Sequence, residues 1–311
     1  MNRTAAIIDM GTNTFNMLVV NYNRFQFRLL HQQKEAVKLG EGGISENRLT
    51  EEAMKRAVQA IDNHMTVAKK LGARQFIATA TSAVRSATNG NVLTQKITQQ
   101  FNLQVDVIDG QREAELIYKG VKLAVHSFSE NALIMDIGGG STEFILCNNN
   151  GVIWQHSFNL GAARLLEWLK PSNPITSSEV DQLHQKLEND LQPLFQAIAS
   201  FKPTVLIGSS GSFDSLHEMI CHREHVPEKA YEHLVNELTE PNYSRICKEI
   251  IHSTTKERLA IPGLIAMRVD MIVIAVLFIE FIKKRLQLSS IKQCQYALKE
   301  GILFELMQSN P

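Results

Sequence analysis

The chain carries one local pattern twice, 127 residues apart, and this repetition constrains its fold more than any other feature. Ile7-Ile-Asp-Met-Gly11 aligns with Ile134-Met-Asp-Ile-Gly138, and Thr14 falls on Ser141 and Leu18 on Ile145. Each copy reads as an apolar strand, Asp-x-Gly, a small polar turn and a second apolar strand. Two such copies about half a chain apart point to a duplicated domain with a pair of facing hairpins. Strand-like runs alternate with amphipathic helical patterns elsewhere, so an α/β protein is expected rather than a bundle or a sandwich.

After the first hairpin, a third strand is expected over residues 27–39, then a helix capped by Thr50 and stopped at Leu71-Gly72. A strand over 74–80 and helices over 90–101 and 111–125 follow. The second hairpin leads to a strand over 152–158, a helix over 162–169 and one long helix from about 177 to 200. A buried strand at 204–208 precedes a mainly helical remainder, with a short strand near 288–292 and a last helix from about 298. At 311 residues the chain suits two domains. The expected division is 1–125 and 126–297, with the C-terminal helix 298–311 joining the first.

Lys+Arg and Asp+Glu both number 32. That neutrality argues against a dedicated nucleic-acid partner, because phosphate contacts leave a basic surplus. The balance is a cancellation, however. Residues 1–126 hold 16 basic against 11 acidic side chains (+5), and residues 127–311 hold 16 against 21 (−5). An anion-lined interior should therefore draw its positive charge mainly from the first half. Cys147, Cys221, Cys247 and Cys294 are widely spaced without a CxxC, and the N-terminus resembles no signal peptide. Reduced thiols and a cytoplasmic location are expected. The most apolar run, residues 271–282, contains Glu280 and is too short to span a bilayer, so no membrane association is expected.

The strongest local signal is Asp136-Ile-Gly-Gly-Gly-Ser-Thr-Glu143. Consecutive glycines bring several backbone N–H groups close to an anionic oxygen cluster without Cβ obstruction. A dinucleotide fingerprint needs a helix after the glycines, whereas the chain continues as a strand. A Walker A loop needs a Lys that is missing here. What remains is a phosphate-cradling hairpin in Gly138, Gly139, Gly140 and Ser141, with Asp136 and Glu143 as hard oxygen donors suited to Mg²⁺. Asp9 with Thr12, Asn13 and Thr14 forms the second wall, and Gly208-Ser209-Ser210-Gly211, between a strand and a helix, a third anion loop. His217, Cys221, His222 and His225 resemble a metal site but lack a second ligand pair at suitable spacing, and read as surface or packing residues.

Seven motifs in one order make a specific resemblance. They are Asp9-Met-Gly-Thr-Asn-Thr-Phe15, Thr81-Ser-Ala-Val-Arg85, Gly110-Gln-Arg-Glu-Ala114, the Asp136–Glu143 turn, Gly208–Gly211, Glu257-Arg258 with Pro262-Gly263, and Ala297-Leu-Lys-Glu-Gly301. Together they resemble the Ppx/GppA phosphatase family of exopolyphosphatases and pppGpp 5′-phosphohydrolases, over essentially the whole chain. The resemblance implies the actin-like (ASKHA, ribonuclease H-like) fold: two duplicated α/β domains, each around a mixed five-stranded sheet, with the active site in the cleft between them. Longer members append helical domains related to HD phosphohydrolases, and this chain is similar to the short two-domain form.

The resemblance assigns Glu113 as the base activating the attacking water, and Arg85 and Arg258 as phosphate-contacting arginines. It assigns Asp9, Asp136 and Glu143 to Mg²⁺, or Mn²⁺ in its place, and Thr12–Thr14, Gly138–Ser141 and Gly208–Gly211 to phosphate. It implies hydrolysis of the terminal phosphoanhydride bond of inorganic polyphosphate, releasing orthophosphate, by a homodimer. A pppGpp 5′-phosphohydrolase of the stringent response and a non-catalytic nucleotide- or polyphosphate-binding regulator are the alternatives. Arg112 stands where many relatives carry an acid and Glu115 where they carry Arg, so these charges look exchanged. Lys299 replaces a common Arg, and Leu264 a common Gly.

Overall fold

The computed structural model describes residues 3–226 and 233–309. The first sheet contains β1 (Arg3–Met10), β2 (Thr14–Tyr22), β3 (Phe27–Ala36), β4 (Gln75–Ala80) and β5 (Val105–Val107), in the order β3-β2-β1-β4-β5. Between them lie α1 (Glu51–Lys70), α2 (Ser82–Ser86) and α3 (Gly90–Phe101), with α4 (Gly110–Val125) after β5. The second sheet contains β6 (Ala132–Ile137), β7 (Thr142–Asn148), β8 (Gly151–Phe158), β9 (Val205–Ser209), β10 (Val235–Glu237) and β11 (Ser290–Cys294). Its order is β10-β11-β9-β6-β7-β8.

Read from its other edge, the run β8-β7-β6-β9-β11 repeats the first sheet strand for strand. Both pair the first two strands and the second and third antiparallel, and the first and fourth and the fourth and fifth parallel. The copies even share an irregularity: the register shifts at Val19/Val20 in β2 and at Leu146/Cys147 in β7, which match at the same 127-residue offset. The second sheet departs from the expected five strands through β10, which adds antiparallel to β11 at the edge.

The second half continues with α5 (Ala162–Leu169), α6 (Ser177–Asp190), α7 (Gln192–Phe201), α8 (Gly211–Arg223), α9 (Asn242–His252), α10 (Thr255–Leu259), α11 (Ile272–Leu286) and α12 (Leu298–Gln308). The single long helix expected over 177–200 is two helices, because Pro193 lacks an N–H and starts a new helix after Leu191. The expected third strand stops at Ala36, where the N–H groups of Val37 and Lys38 turn to Asn13 O, and Lys38 takes a left-handed φ of 48°. Of the expected terminal helix, residues 310–311 lie outside the described residues. Among the described residues, no helix is long and apolar enough to cross a membrane.

Strand alternation sorts the core. Ala6, Ile8 and Met10 pack with Ala57, Ile61, Leu93 and Ile97 on the outer face of the first sheet. Leu133, Met135 and Ile137 pack with Leu183, Leu187 and the apolar α11 on the outer face of the second. The opposite faces share one cluster, in which Ala5 and Ile7 of β1 and Ala132 and Ile134 of β6 meet Leu116, Ile117 and Val121 of α4 and Ile302 and Leu303 of α12. Two glycines let these central helices touch backbone to backbone: a Cβ on Gly120 would lie 2.0 Å from Ala297 O, and one on Gly301 1.9 Å from Leu116 O. Asp9 continues the Ala5, Ile7 series and Asp136 the Ala132, Ile134 series. The period of two therefore aims both carboxylates at the region between the sheets, beside the N-termini of α4 and α12.

Candidate active site

The two hairpin turns face each other across a cleft lined by Asp9, Thr12, Asn13, Thr14, Glu113, Asp136, Gly138–Ser141, Ser210 and Gly211. The first turn is fixed from outside, since Gly40 N–H donates to Thr12 O and Val37 and Lys38 donate to Asn13 O. The second is fixed by α5, whose first N–H groups, from Ala162, Ala163 and Arg164, donate to Gly138 O and Gly139 O. Gly138, Gly139 and Gly140 have no positive φ. Glycine is needed there for close approach: a Cβ on Gly139 would lie 3.0 Å from Thr12 Cβ, and one on Gly140 2.7 Å from Thr12 Oγ1.

Asp9, Glu113, Asp136 and Asp214 line the cleft and Glu143 lies buried beside them, each oriented by a different device. Asp9 accepts from Asn16 Nδ2 at 3.1 Å, its cross-strand partner. Asp136 accepts from Ser209 Oγ at 2.7 Å and Ser210 Oγ at 2.6 Å, one hydroxyl on each oxygen. Glu143 accepts from its cross-strand partner Ser157 at 2.6 Å and lies buried behind the glycine turn. Glu113, in the first turn of α4, accepts from Arg85 Nη1 at 2.7 Å, and the same guanidinium nitrogen donates to Ile108 O.

Burial dominates the electrostatics. It pushes the Asp9 carboxyl up to about 7, against the Asn16 hydrogen bond and the Lys299 charge. Burial also pushes Glu113 up to about 7, with Arg85 opposing. Asp136 is raised by burial against its two serine hydroxyls, and Glu143 is raised well above the usual range by burial and by the charges of Glu113 and Asp136. Buried carboxyl groups whose charges raise one another's pKa favour a cation beside them.

Among the described residues, no group of three or more His, Cys, Asp or Glu side chains is close enough to cage an ion. The donor set fits Mg²⁺ nonetheless, since that ion keeps several waters and takes one or two carboxylates together with substrate phosphates. Asp9 and Asp136, on the facing turns, would hold such an ion. Bound there, it would neutralise phosphate charge.

Of the third loop, Ser210 and Gly211 line the cleft, with Ser210 at a left-handed φ of 67°. Ser209 instead turns to Asp136, and Gly208 lies against Phe213, whose ring a Cβ would meet at 2.0 Å. Arg258 does not reach the cleft. Its guanidinium is buried in the second half, donating to Val269 O at 3.0 Å, to Ser253 O and to Thr255 Oγ1 at 3.1 Å, so it fastens a loop where a phosphate contact was expected.

Cations that sequence reasoning did not assign to the cleft line it: Lys34, Arg268 and Lys299. Lys34 on β3 pairs with Asp214 of α8 at 3.1 Å, linking the two halves. Arg268 packs on Gly211, where a Cβ would lie 1.6 Å from its Nη2. Lys299 pairs with Glu300 at 2.9 Å; burial lowers its pKa, but Glu300, Asp214 and Asp9 outweigh that and raise it. Two of these three cations come from beyond residue 126, so the expected bias of positive charge toward the first half is not what lines the cleft. Arg164 adds a second link, from α5 to Gly140 O at 3.1 Å and Ile44 O at 2.9 Å.

The sequence departures have structural reasons. Arg112 bonds Glu115 and Glu305, and Lys119 bonds the same two acids, so the exchanged charges clip α4 to α12. Leu264 is buried in the core of the second half beside Gly263, whose φ of 88° suits glycine. His217 Nε2 and Cys221 Sγ lie 3.4 Å apart on α8.

The model of the Ppx/GppA phosphatase family matches residues 18–310. A guanosine-5'-triphosphate,3'-diphosphate pyrophosphatase of Photobacterium profundum is 26% identical over 302 residues, covering 97% of this chain and 59% of that protein. The chain thus spans under two thirds of that relative's length. Exopolyphosphatase 1 of Mycobacterium bovis is 26% identical over 306 residues, covering 97% of this chain and 88% of that protein. The crystal structure of an exopolyphosphatase from Cytophaga hutchinsonii is 39% identical, with a TM-score of 0.95 over 99% of both chains. The Ppx/GppA family member of Aquifex aeolicus, at 19% identity and a TM-score of 0.80, shares the fold.

Proposed function

This chain belongs to the Ppx/GppA phosphatase family, and we propose that it is an exopolyphosphatase that removes the terminal phosphate of inorganic polyphosphate with Mg²⁺, or Mn²⁺, as cofactor. The observation that carries this reading is the convergence of buried carboxylates, glycine turns and the cations Lys34, Arg268 and Lys299 in one cleft. In the proposed reaction a water oxygen bonds to the terminal phosphorus as the bridging P–O bond breaks. The electron pair of that bond leaves with the shortened chain, and Glu113 takes the water's proton.

Arg85 engages Oε2 of Glu113, leaving the other oxygen for that proton, and a carboxyl raised to about 7 suits a base near neutral pH. Backbone N–H groups of the facing turns and the three cations orient and neutralise the phosphates. The bound metal would supply further charge neutralisation. Likeness to an exopolyphosphatase at 39% identity supports polyphosphate over pppGpp. The family resemblance adds a homodimer, which light scattering on the purified protein checks.

Phosphate release from long polyphosphate, tripolyphosphate, pppGpp and ATP, each with Mg²⁺, tests the reading. Polyphosphates are expected to react fastest, and Glu113→Ala to lose at least about 100-fold in kcat. A pppGpp rate far above the polyphosphate rates would make the chain a pppGpp phosphohydrolase. No rate above that of Glu113→Ala would leave a non-catalytic binding protein.

A further inference from the structure

Among the described residues, two buried polar atoms beside the cleft have no hydrogen-bond partner, and both belong to residues that line it: Asn13 Nδ2 and Ser82 Oγ. Ser82 is the more telling, being 2% exposed. Its hydroxyl stands at the point where three segments converge. A Cβ added to Gly140 would lie 2.6 Å from Ser82 Oγ and 2.7 Å from Thr12 Oγ1, so the α2 hydroxyl, the first turn and the glycine turn close on one small space. A hydroxyl buried without a partner costs about 1–3 kcal/mol, and folds retain such a cost where a ligand relieves it.

Chain geometry ties this hydroxyl to the proposed reaction. Ser82 opens α2, and Arg85, one helical turn later, holds Glu113 through a 2.7 Å bond. The five-residue helix therefore presents the hydroxyl and the arginine that positions the base on one side. Opposite, the Asn13 amide comes from the first hairpin turn, whose carbonyl is occupied by Val37 and Lys38. Both atoms can donate, and both belong to residues that line the cleft beside the glycine turn.

We infer that the Ser82 hydroxyl is a catalytic hydrogen-bond donor to a non-bridging oxygen of the phosphoryl group under attack, with the Asn13 amide as a second donor. Ser82 forms no covalent bond to phosphorus. It donates a hydrogen bond that strengthens as charge develops on the equatorial oxygens, and its binding partner is a tetrahedral oxyanion. This inference rests on the phosphoanhydride hydrolase reading and deepens it.

The experiment compares wild type with Ser82→Ala and Ser82→Thr, measuring kcat and KM on tripolyphosphate with Mg²⁺, and the melting temperature with and without inorganic phosphate. Ser82→Ala should lower kcat by about 100-fold with KM changed by less than about threefold, keep or raise the ligand-free melting temperature, and shrink the stabilisation by phosphate. Ser82→Thr, which restores a hydroxyl, should recover part of kcat. An unchanged kcat, or a kcat loss matched by a lower ligand-free melting temperature, would overturn the inference. If wild type cleaves no phosphoanhydride, the hydrolase reading fails, and the phosphate-induced shift alone decides the Ser82 contact. A phosphate shift of equal size in wild type and Ser82→Ala, or none in either, rejects that contact.

Discussion

At the scale of single residues, Arg85 and Arg258 show how one residue type serves opposite ends. The Arg85 guanidinium does not itself line the cleft but donates to Glu113, which does. That of Arg258 is buried among carbonyls of residues 253 and 269. Removing Arg85 withdraws the positive charge that opposes the burial of Glu113, so the Glu113 pKa rises further above about 7. Arg85→Ala is therefore expected to lower kcat and to move the acid limb of the kcat/KM profile, measured from pH 5.5 to 9, upward by about one unit. A limb that stays in place would separate Arg85 from the base.

Arg258→Ala should behave as a folding variant. Losing charge-assisted bonds to buried carbonyls is expected to cost about 2–4 kcal/mol in urea unfolding while leaving that limb unmoved. A stable Arg258→Ala with a shifted limb would return it to the site. Sequence could not separate the two, because both lie in five-residue helices and only tertiary packing decides which guanidinium meets the cleft's carboxylates. Asp9, Asp136 and the glycine turn were legible, because each needs only a local pattern to reach the cleft, whereas Glu113 came from the family resemblance, its own segment reading as an ordinary helix start. Lys34 and Arg268 were not legible, because each reaches the cleft through the packing of distant segments and neither lies in a motif.

At the scale of elements, the duplicated hairpins were readable because a period-two strand announces its inward face, and Asp9 and Asp136 extend that face. The edge strand β10 was not, since three residues, Val235–Glu237, carry too little pattern to distinguish strand from loop. The break between α6 and α7 was signalled by Pro193 and overridden by the amphipathic period around it. Helices α4 and α12 matter most to the site, because their N-terminal turns carry Glu113 and Lys299, and their contact is set by Gly120 and Gly301. In Gly301→Ala the new methyl meets Leu116 O, three residues after Glu113, at 1.9 Å, and backbone cannot yield as a flexible side chain would.

The helices must separate, which is expected to cost about 1–3 kcal/mol in urea unfolding and to lower kcat at least tenfold by displacing Glu113 and Lys299 together. The Arg112, Glu115, Lys119 and Glu305 clip on the same helix pair is half-buried at the surface and should contribute about 1 kcal/mol or less per bridge. A Gly301→Ala protein as active and stable as wild type would show that the helix contact does not set the site.

At the scale of the whole molecule, net charge by halves was a poor guide to the cleft, because it counts exposed side chains equally with the few that face inward. Beside the cations Lys34, Arg268 and Lys299, the molecule concentrates between its halves a set of buried carboxyl groups, Asp9, Glu113, Asp136 and Glu143, all raised above their ordinary values. A carboxyl whose folded pKa exceeds its unfolded value binds more protons when folded, so stability falls as pH rises through the interval between the two values. For Asp9 the interval runs from 3.8 to about 7, and for Glu113 from 4.5 to about 7, so the penalty is complete by pH 8 and partial at pH 6.

His64, His184 and His217 act in the opposite sense, since burial lowers their values below 6.5 and their stability terms improve as pH rises. The pH slope of the metal-free protein therefore mixes both. Measured at one pH, the difference that Mg²⁺ makes isolates the carboxylates, because the histidine terms cancel. A cation bound between Asp9 and Asp136 offsets a penalty that is larger at pH 8 than at pH 6. The rise in melting temperature on adding Mg²⁺ to the chelator-treated protein should accordingly be greater at pH 8, and Asp9→Asn should shrink it most there. An increment equal at both pH values, or larger at pH 6, would mean that Mg²⁺ binds away from this cluster.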